Sequence, residues 1–205
     1  MDSTQTGARN GSGRLLSFRR AIIFAVVLPL ALLFGWAGAL YATGNLHAIV
    51  PGAAYRAAQL SDGQIADAVH KYGIRTVINL RGPNPGTEWF DREVAATRAL
   101  GVQHIDFRMS AREELDEARL GELVRLLHTA QPPLLIHCEG GADRSALAAA
   151  AYRLSVEHAS AEQASAELSA WYGHLPLLFP RTRAMDRSFD RLAASLPRIE
   201  TVRND

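Results

Sequence analysis

Apolar positions are distributed in two different ways along this chain of 205 residues, and each distribution predicts a different kind of element. Residues 21–42 form a continuous apolar run without a charged side chain. As a helix this run would be about 33 Å long, which is enough to cross the apolar core of a bilayer. The rest of the chain has shorter apolar segments bounded by Gly, Pro and capping residues, which is typical of a folded domain.

Helical and extended patterns alternate after the apolar run, and their alternation predicts an α/β sheet with helices on its faces. A buried strand is predicted for residues 74–80, which are rich in β-branched residues. A second strand is predicted for 102–109, where apolar and polar residues alternate, and a short central strand for 134–137. Trp171 and Tyr172 are predicted to lie in the core, because Ala164 and Leu168 precede them at helical spacing. Two helices are predicted with both ends: one from Ser61 or Asp62 to Gly73 and one from Thr87 to Gly101. Two further helices are predicted to start at Asp116 and near Arg144. A capping box at Ser160–Gln163 starts another, and the last helix is predicted to end at Pro197.

Charges on either side of the apolar run predict its orientation. Four arginines precede it, and the next Lys or Arg is Arg56, so the positive-inside bias keeps the N-terminus in the cytoplasm. The predicted organisation is a cytoplasmic basic tail over 1–20, a transmembrane helix or signal segment over 21–42, a linker over 43–52, a folded domain over 53–197 and a tail over 198–205. A signal peptide cleaved at Ala37-Gly38-Ala39 is the alternative. Either way the domain lies outside the cytoplasm (the periplasm in a bacterium), anchored by a single pass or secreted.

Composition narrows the classes of function. The net charge is +1 and no basic patch stands out, so nucleic acid is not an expected partner. One cysteine excludes an intramolecular disulfide and a cysteine-cluster zinc site. A lone cysteine is most often a buried structural residue, and that is the alternative to a functional Cys138.

The segment Pro132–Ser145, PPLLIHCEGGADRS, joins a short apolar strand to the start of a helix. Loop N–H groups at such a junction can surround an anion, and the helix N-terminus adds donors and a partial positive charge. Gly140 and Gly141 permit the positive φ angles that turn consecutive amides inward, and Arg144 is a two-pronged donor for phosphate oxygens. Since the same field favours a thiolate, Cys138 becomes an in-line nucleophile for a bound phosphoryl group.

The predicted roles extend to the rest of this loop. Ser145 can donate a hydrogen bond to the sulfur when it leaves, and His137 is expected to fix the loop by hydrogen bonding. The predicted catalytic residues are Cys138, Arg144 and Asp143. The predicted phosphate-binding residues are Glu139, Gly140, Gly141, Ala142, Asp143, Arg144 and Ser145.

His137–Arg144 matches the HCxxGxxR signature, and here the chain resembles the cysteine-dependent protein tyrosine and dual-specificity phosphatases. Tyr55–Gln59 and Gly73–Arg81 resemble the opening of the compact dual-specificity-type enzymes of bacteria. The resemblance spans most of residues 50–195. It implies a central, mostly parallel sheet flanked by helices, a phosphocysteine intermediate, and no metal or organic cofactor.

The proton donor for the leaving group is less closely specified. In these phosphatases an Asp on the loop after the preceding strand usually supplies it, and the candidates here are Glu113, Glu114 and Asp116. Asp143 is the favoured donor, because a similar Asp-Arg pair occurs in myotubularin-type lipid phosphatases. Asp106 is a weaker candidate, since it is predicted to lie inside a strand.

The expected function is therefore hydrolysis of phosphomonoesters, with protein phosphotyrosine as the first expected substrate and phosphoserine or phosphothreonine as further ones. One alternative is a phosphoinositide or inositol phosphate phosphatase, and a second is a membrane-tethered phospho-binding module without activity. The expected partners are a phosphorylated protein or phospholipid, and the membrane through the N-terminal helix.

Overall fold

A computed structural model describes residues 23–204 of the chain, and the side chains of residues 24–196. The basic tail predicted for residues 1–20 and the first two residues of the apolar run lie outside the described residues. The chain divides into two compact units between Ala39 and Leu40.

The apolar run is helical. A π-helical turn, Ile23–Val27, leads into α1, Leu28–Ala42. The stretch Phe24–Ala42 has a mean hydropathy of 2.0, and its length and composition are sufficient to cross a membrane. A signal sequence near the N-terminus meets the same criterion, so both interpretations of the run stay open.

Five short strands form one sheet, as the α/β prediction requires. The spatial order is β1-β2-β5-β3-β4, in which β1 and β2 are antiparallel and the other neighbours are parallel. The sheet is thus mostly parallel, with β5 at its centre. The strands are β1 His47–Val50, β2 Ala54–Ala57, β3 Thr76–Asn79, β4 Gln103–Asp106 and β5 Leu134–His137.

Helices cover both faces of this sheet. The α-helices are α2 Asp62–Tyr72, α3 Glu88–Ala99, α4 Glu117–Thr129, α5 Arg144–Ser155, α6 Ala161–Ser165 and α7 Arg183–Asn204, with 3₁₀ turns at Ala170–Tyr172 and Pro180–Thr182. Alternate residues of β5 point to opposite faces: Leu134 and Ile136 pack in the core with α4, α5 and α7, while Leu135 packs with α2. A strand buried on both faces needs a continuous apolar sequence, and LLI supplies it.

Several predicted helix boundaries are confirmed. Ser61 accepts a hydrogen bond from the Gln64 N–H within a capping box, and Gly73 ends α2 in the left-handed conformation with φ 67°. Asp116 caps α4 by accepting from the Arg119 N–H at 2.8 Å. Thr87 stands at the N-cap position of α3 without a capping hydrogen bond.

Three predictions differ from the structure. Residues 43–52, predicted as a linker, contain β1, because β2 offers it an antiparallel partner. The placement of Trp171 in the core is wrong: its side chain is 68% exposed, since α6 ends at Ser165 and the helical spacing is broken. The end of the last helix at Pro197 is also wrong, because α7 continues to Asn204; proline lacks an N–H, but its fixed φ is compatible with a helix.

Candidate active site

The candidate loop connects the central strand to a buried helix. β5 ends at His137, Cys138 follows directly, and α5 begins at Arg144. Cys138 is 2% exposed and lies at the base of a cleft of about 1180 Å³. The loop is therefore held between two rigid elements at the carboxyl end of the sheet.

Four consecutive carbonyl groups of this loop are bonded to the surrounding scaffold. The Gln59 N–H donates to the carbonyl of residue 139 at 3.0 Å, and Asn45 Nδ2 donates to that of residue 140 at 3.1 Å. Arg56 Nη2 donates to the carbonyls of residues 141 and 142 at 3.0 and 3.1 Å. Within the described part of the chain, no backbone N–H of residues 139–143 donates to another residue. The loop thus keeps its acceptors bound and its donors available for an anion.

Arg56, which lies under the loop, is a fully buried cation. Its exposure is 0%, and Nη1 donates to the Glu167 carboxylate at 3.1 Å and to the Glu167 carbonyl at 2.8 Å. The guanidinium also lies 4.4 Å from the centre of the Tyr172 ring. A buried charge requires such partners, so this arginine fixes the geometry of the loop.

Gly141 is the loop position that accepts no side chain. Its φ is 67°, and a Cβ atom there would lie 2.6 Å from the backbone nitrogen of Ala58. The sequence predicted positive φ for Gly140 as well, whereas only Gly141 of the pair has it. Glycine at position 141 thus allows the left-handed backbone conformation and leaves room for the backbone at the end of β2.

The predicted nucleophile and arginine both line the cleft. Cys138 Sγ lies 3.6 Å from Ser145 Oγ, as expected for a hydroxyl that assists the sulfur. Arg144 Nη2 is 3.7 Å from the exposed Glu139 carboxylate, and its buried Nε has no hydrogen-bond partner. A buried, unpaired guanidinium N–H at the mouth of an anion cradle is suited to bind a phosphate oxygen.

Behind Cys138, one carboxylate joins two histidines. Glu93 of α3 is 2% exposed and accepts from His104 Nε2 at 2.8 Å and His137 Nε2 at 3.0 Å. Gln59 Nε2 donates to its other oxygen at 2.5 Å. Burial alone would raise the pKa of Glu93, but these hydrogen bonds outweigh it and hold the pKa at about 2. His137 is therefore held by Glu93 next to Cys138, the predicted nucleophile.

On the cleft side, one histidine joins two carboxylates. His174, which is 2% exposed, donates from Nδ1 to Asp143 at 2.7 Å and from Nε2 to Asp186 of α7 at 3.2 Å. Burial alone would lower the pKa of His174, and the hydrogen bonds to Asp143 and Asp186 outweigh it and raise the pKa. Asp143 also lines the cleft beside Arg144, although it makes no capping hydrogen bond to α5.

Three of the other candidate proton donors, Glu113, Glu114 and Asp116, line a neighbouring groove that Arg144 also lines. Asp116 is engaged as the cap of α4. Glu114 is bonded to Arg187 and, at 2.8 Å, to Arg191, and these bonds lower its pKa, so it is held as a carboxylate. Glu113 is exposed. Asp106 accepts from Asn79 Nδ2 at 2.7 Å.

Sequence reasoning missed five residues that position the site. Arg56 stood within the noted Tyr55–Gln59 match, and a buried arginine in a strand was a usable signal. His174 has no second histidine or cysteine at metal-ligand spacing to mark it as functional, and its partners in the fold are the carboxylates of Asp143 and Asp186. Asn45, Glu93 and Asp186 carried no local signal. Among the described residues, no group of three His, Cys, Asp or Glu side chains is arranged to hold a metal ion.

Comparisons with known proteins agree with this geometry. A family model described as "Tyrosine phosphatase family" matches residues 37–167, and no curated protein matches the chain significantly. A variant of TpbA from P. aeruginosa, solved in complex with pTyr, is similar at 21% identity over 75% of this chain and 91% of that chain, with a TM-score of 0.58. The PP-IP phosphatase SIW14 from S. cerevisiae shows 19% identity over 78% and 93%, with a TM-score of 0.59. Human DUSP28 shows 16% identity over 74% and 97%, with a TM-score of 0.52.

Proposed function

The chain belongs to the tyrosine phosphatase family, and from this premise we propose that it hydrolyses phosphate monoesters through a phosphocysteine intermediate. The proposal rests on the loop that follows β5. Four of its carbonyls accept hydrogen bonds from the scaffold, which leaves its N–H groups available. Cys138 and Arg144, whose Nε is unpaired, line the same cleft. A phosphate group with three free oxygens fits that donor arrangement.

In the proposed first step, the Cys138 thiolate attacks phosphorus. The S–P bond forms, the ester P–O bond breaks, and the leaving oxygen takes a proton. Loop N–H groups and Arg144 hold the equatorial oxygens, where negative charge is concentrated. In the second step water attacks phosphorus, the S–P bond breaks, and inorganic phosphate leaves. Ser145, at 3.6 Å from the sulfur, stabilises the returning thiolate.

Asp143 is the proposed proton donor to the leaving oxygen. It is, with Glu139, one of two carboxylates in the cleft lining. Asp143 passes to the leaving oxygen the proton that His174 Nδ1 shares with it at 2.7 Å, so His174 becomes neutral as the leaving oxygen is protonated. In the second step the carboxylate takes a proton from the attacking water, which restores the starting state.

The cradle recognises phosphate itself, so its chemistry is compatible with phosphotyrosine, with phosphoserine or phosphothreonine, and with inositol phosphates. The likeness to TpbA, solved in complex with pTyr, supports the first of these, and the likeness to the PP-IP phosphatase SIW14 supports the last. A silent phospho-binding module is less well supported, because this chain has both the cysteine and the arginine. Inhibition by vanadate would distinguish a working site from such a module.

We also propose a location for the enzyme. The helix Phe24–Ala42 anchors the chain in a membrane, and the arginines before it keep the N-terminus in the cytoplasm. The catalytic domain then lies on the extracytoplasmic side. Cleavage of the helix as a signal peptide would give a secreted enzyme, and a mass measurement of the native protein separates the two.

The proposal is tested with an aryl phosphate and the Cys138→Ser variant. We expect the variant to lose activity by more than about a thousandfold, because the hydroxyl is a far weaker nucleophile at neutral pH. The phosphocysteine should be trapped by rapid acid quenching and detected by mass spectrometry on the peptide containing Cys138. Equal rates for the two proteins would refute covalent catalysis, and unchanged thermal unfolding of the variant is the control for folding.

A further inference from the structure

Most of the exposed large apolar side chains of the domain belong to one short segment of the chain. Within the described residues 40–196, the exposed ones are Tyr41, Trp171, Leu177, Leu178 and Phe179. Their exposures range from 60% for Phe179 to 90% for Tyr41. A concentration of exposed large apolar side chains indicates an interaction site. We call residues 171–179, which supply four of the five, the rim loop.

The rim loop is continuous with the catalytic cleft. Leu178 and Phe179 line the same cleft as Cys138, followed by Pro180. A substrate whose phosphate reaches the sulfur therefore has its next atoms against apolar side chains. That environment suits a phosphate ester attached to an apolar body.

The rim loop contacts residues Leu40 and Asn45, at and just after the end of α1. Asn45, three residues after the end of α1, donates from Nδ2 to the Tyr172 carbonyl at 2.9 Å and to the Gly140 carbonyl at 3.1 Å. A Cβ on Gly173 would lie 3.8 Å from Leu40 Cδ1. Three residues span at most about 10 Å, so an anchored chain holds both the rim loop and the phosphate loop close to the membrane surface.

Charge around the cleft also suits a membrane surface. Arg112 and Arg181 line the cleft, and Arg183 follows at the start of α7; all three are exposed and make no ion pair with another described residue. Glu139 and Asp143 are the carboxylates of the same cleft. Exposed arginines next to apolar side chains attract anionic headgroups while the apolar side chains enter the interface.

We propose that the rim loop contacts the lipid bilayer and that the substrate is a phospholipid with a terminal phosphomonoester. This inference rests on the proposed function, because the cradle must first be a working phosphatase. The phosphate ester of the headgroup is attacked by Cys138, the lipid leaves as the free alcohol with a proton on its oxygen, and water releases inorganic phosphate. The apolar part of the lipid stays in the bilayer, in contact with Leu177 and its neighbours.

The test compares three substrates on one preparation. The full chain is reconstituted in phosphatidylcholine vesicles that contain phosphatidic acid, the simplest phospholipid of this class, and an aryl phosphate and a phosphotyrosyl peptide are added from solution. The variant Leu177→Asp places a charge where the bilayer contact is proposed. Its matched control is Ala95→Asp, which adds the same charge on the exposed side of α3.

We expect Leu177→Asp to lower the hydrolysis of phosphatidic acid relative to that of aryl phosphate by about tenfold, because a charge in the interface opposes insertion. Ala95→Asp should leave this ratio unchanged. Equal effects of Leu177→Asp on both substrates, or a phosphotyrosyl peptide that is hydrolysed faster than phosphatidic acid, would overturn the proposal. Failure of the wild-type chain on all three substrates would instead refute the proposed phosphatase activity.

Discussion

Two clusters of the same residue types lie on opposite sides of the phosphate loop, and they are arranged in inverse ways. Behind Cys138, the Glu93 carboxylate is shared by His104 and His137. On the cleft side, the His174 imidazole is shared by Asp143 and Asp186. We call them the Glu93 cluster and the His174 cluster. One holds a negative charge between two histidines, and the other holds a proton between two carboxylates.

The difference lies in access to the cleft. All of the Glu93 side-chain contacts are internal, so that cluster can only fix the position of the loop. The His174 cluster includes Asp143, which lines the cleft, and so it can exchange a proton with a bound substrate. The same residue types therefore serve structure on one side and, as proposed, catalysis on the other, and what separates them is whether one member lines the cleft.

Replacing Glu93 with Gln should produce the largest loss of stability. The variant leaves two histidines competing for a neutral side chain in a buried site, and removal of one member of such a group costs about 3 kcal/mol. Urea unfolding measures the loss, with Glu117→Gln on the exposed first turn of α4 as the matched control. If both variants unfold at the same urea concentration, the Glu93 cluster is not a structural element.

Replacing Asp143 with Asn tests the catalytic half of the comparison. We expect kcat/KM to fall by about a hundredfold for esters with a poor leaving group, because they need a proton in the transition state, and far less for those with a good one. The Asp186→Asn variant should show a smaller loss with the same dependence on the leaving group. An equal loss of activity on all esters would assign Asp143 a purely structural role.

The sequence indicated most about the candidate site where its residues are close together in the chain. Cys138, Ser145 and Arg144 lie within one strand–loop–helix junction, so their spacing alone indicated a phosphate cradle. The caps Ser61 and Asp116 were predictable for the same reason, since a cap bonds within three residues of itself.

The supports of the cradle were not predictable, because they come from distant parts of the chain. Asn45 is 95 residues from the carbonyl of residue 140, and Arg56 is 85 residues from that of residue 141. His174 meets Asp143 across 31 residues. The strand order, with β2 beside β5, brings Arg56 under the loop, and it cannot be read from local sequence. Helical spacing likewise misplaced Trp171, because the end of α6 interrupts the pattern.

The two clusters should also respond to pH in opposite directions. The pKa of Glu93 is lowered from 4.5 to about 2, so its contribution to stability is complete above 4.5 and is lost as the pH falls towards 2. The pKa of His174 is raised above 6.5, so its contribution is complete below 6.5 and is lost as the pH rises through the raised value.

The His174→Gln variant isolates the second effect. It should remove the loss of stability on the alkaline side, worth about 1–2 kcal/mol for a charge-assisted hydrogen bond, and leave the loss on the acid side in place. Melting temperatures between pH 5 and 9 provide the measurement. An unchanged alkaline slope in the variant would show that His174 does not hold the proton assigned to it.

The smallest effect is expected outside both clusters, at Glu114. This carboxylate was a candidate proton donor, but its ion pairs with Arg187 and Arg191 lower its pKa and keep it deprotonated, so it has no proton to give. We expect Glu114→Gln to leave kcat/KM within about twofold of wild type for esters with good and poor leaving groups alike. A selective loss on poor leaving groups would move the proton donor from the His174 cluster to the neighbouring groove, and the division between a structural and a catalytic cluster would fail with it.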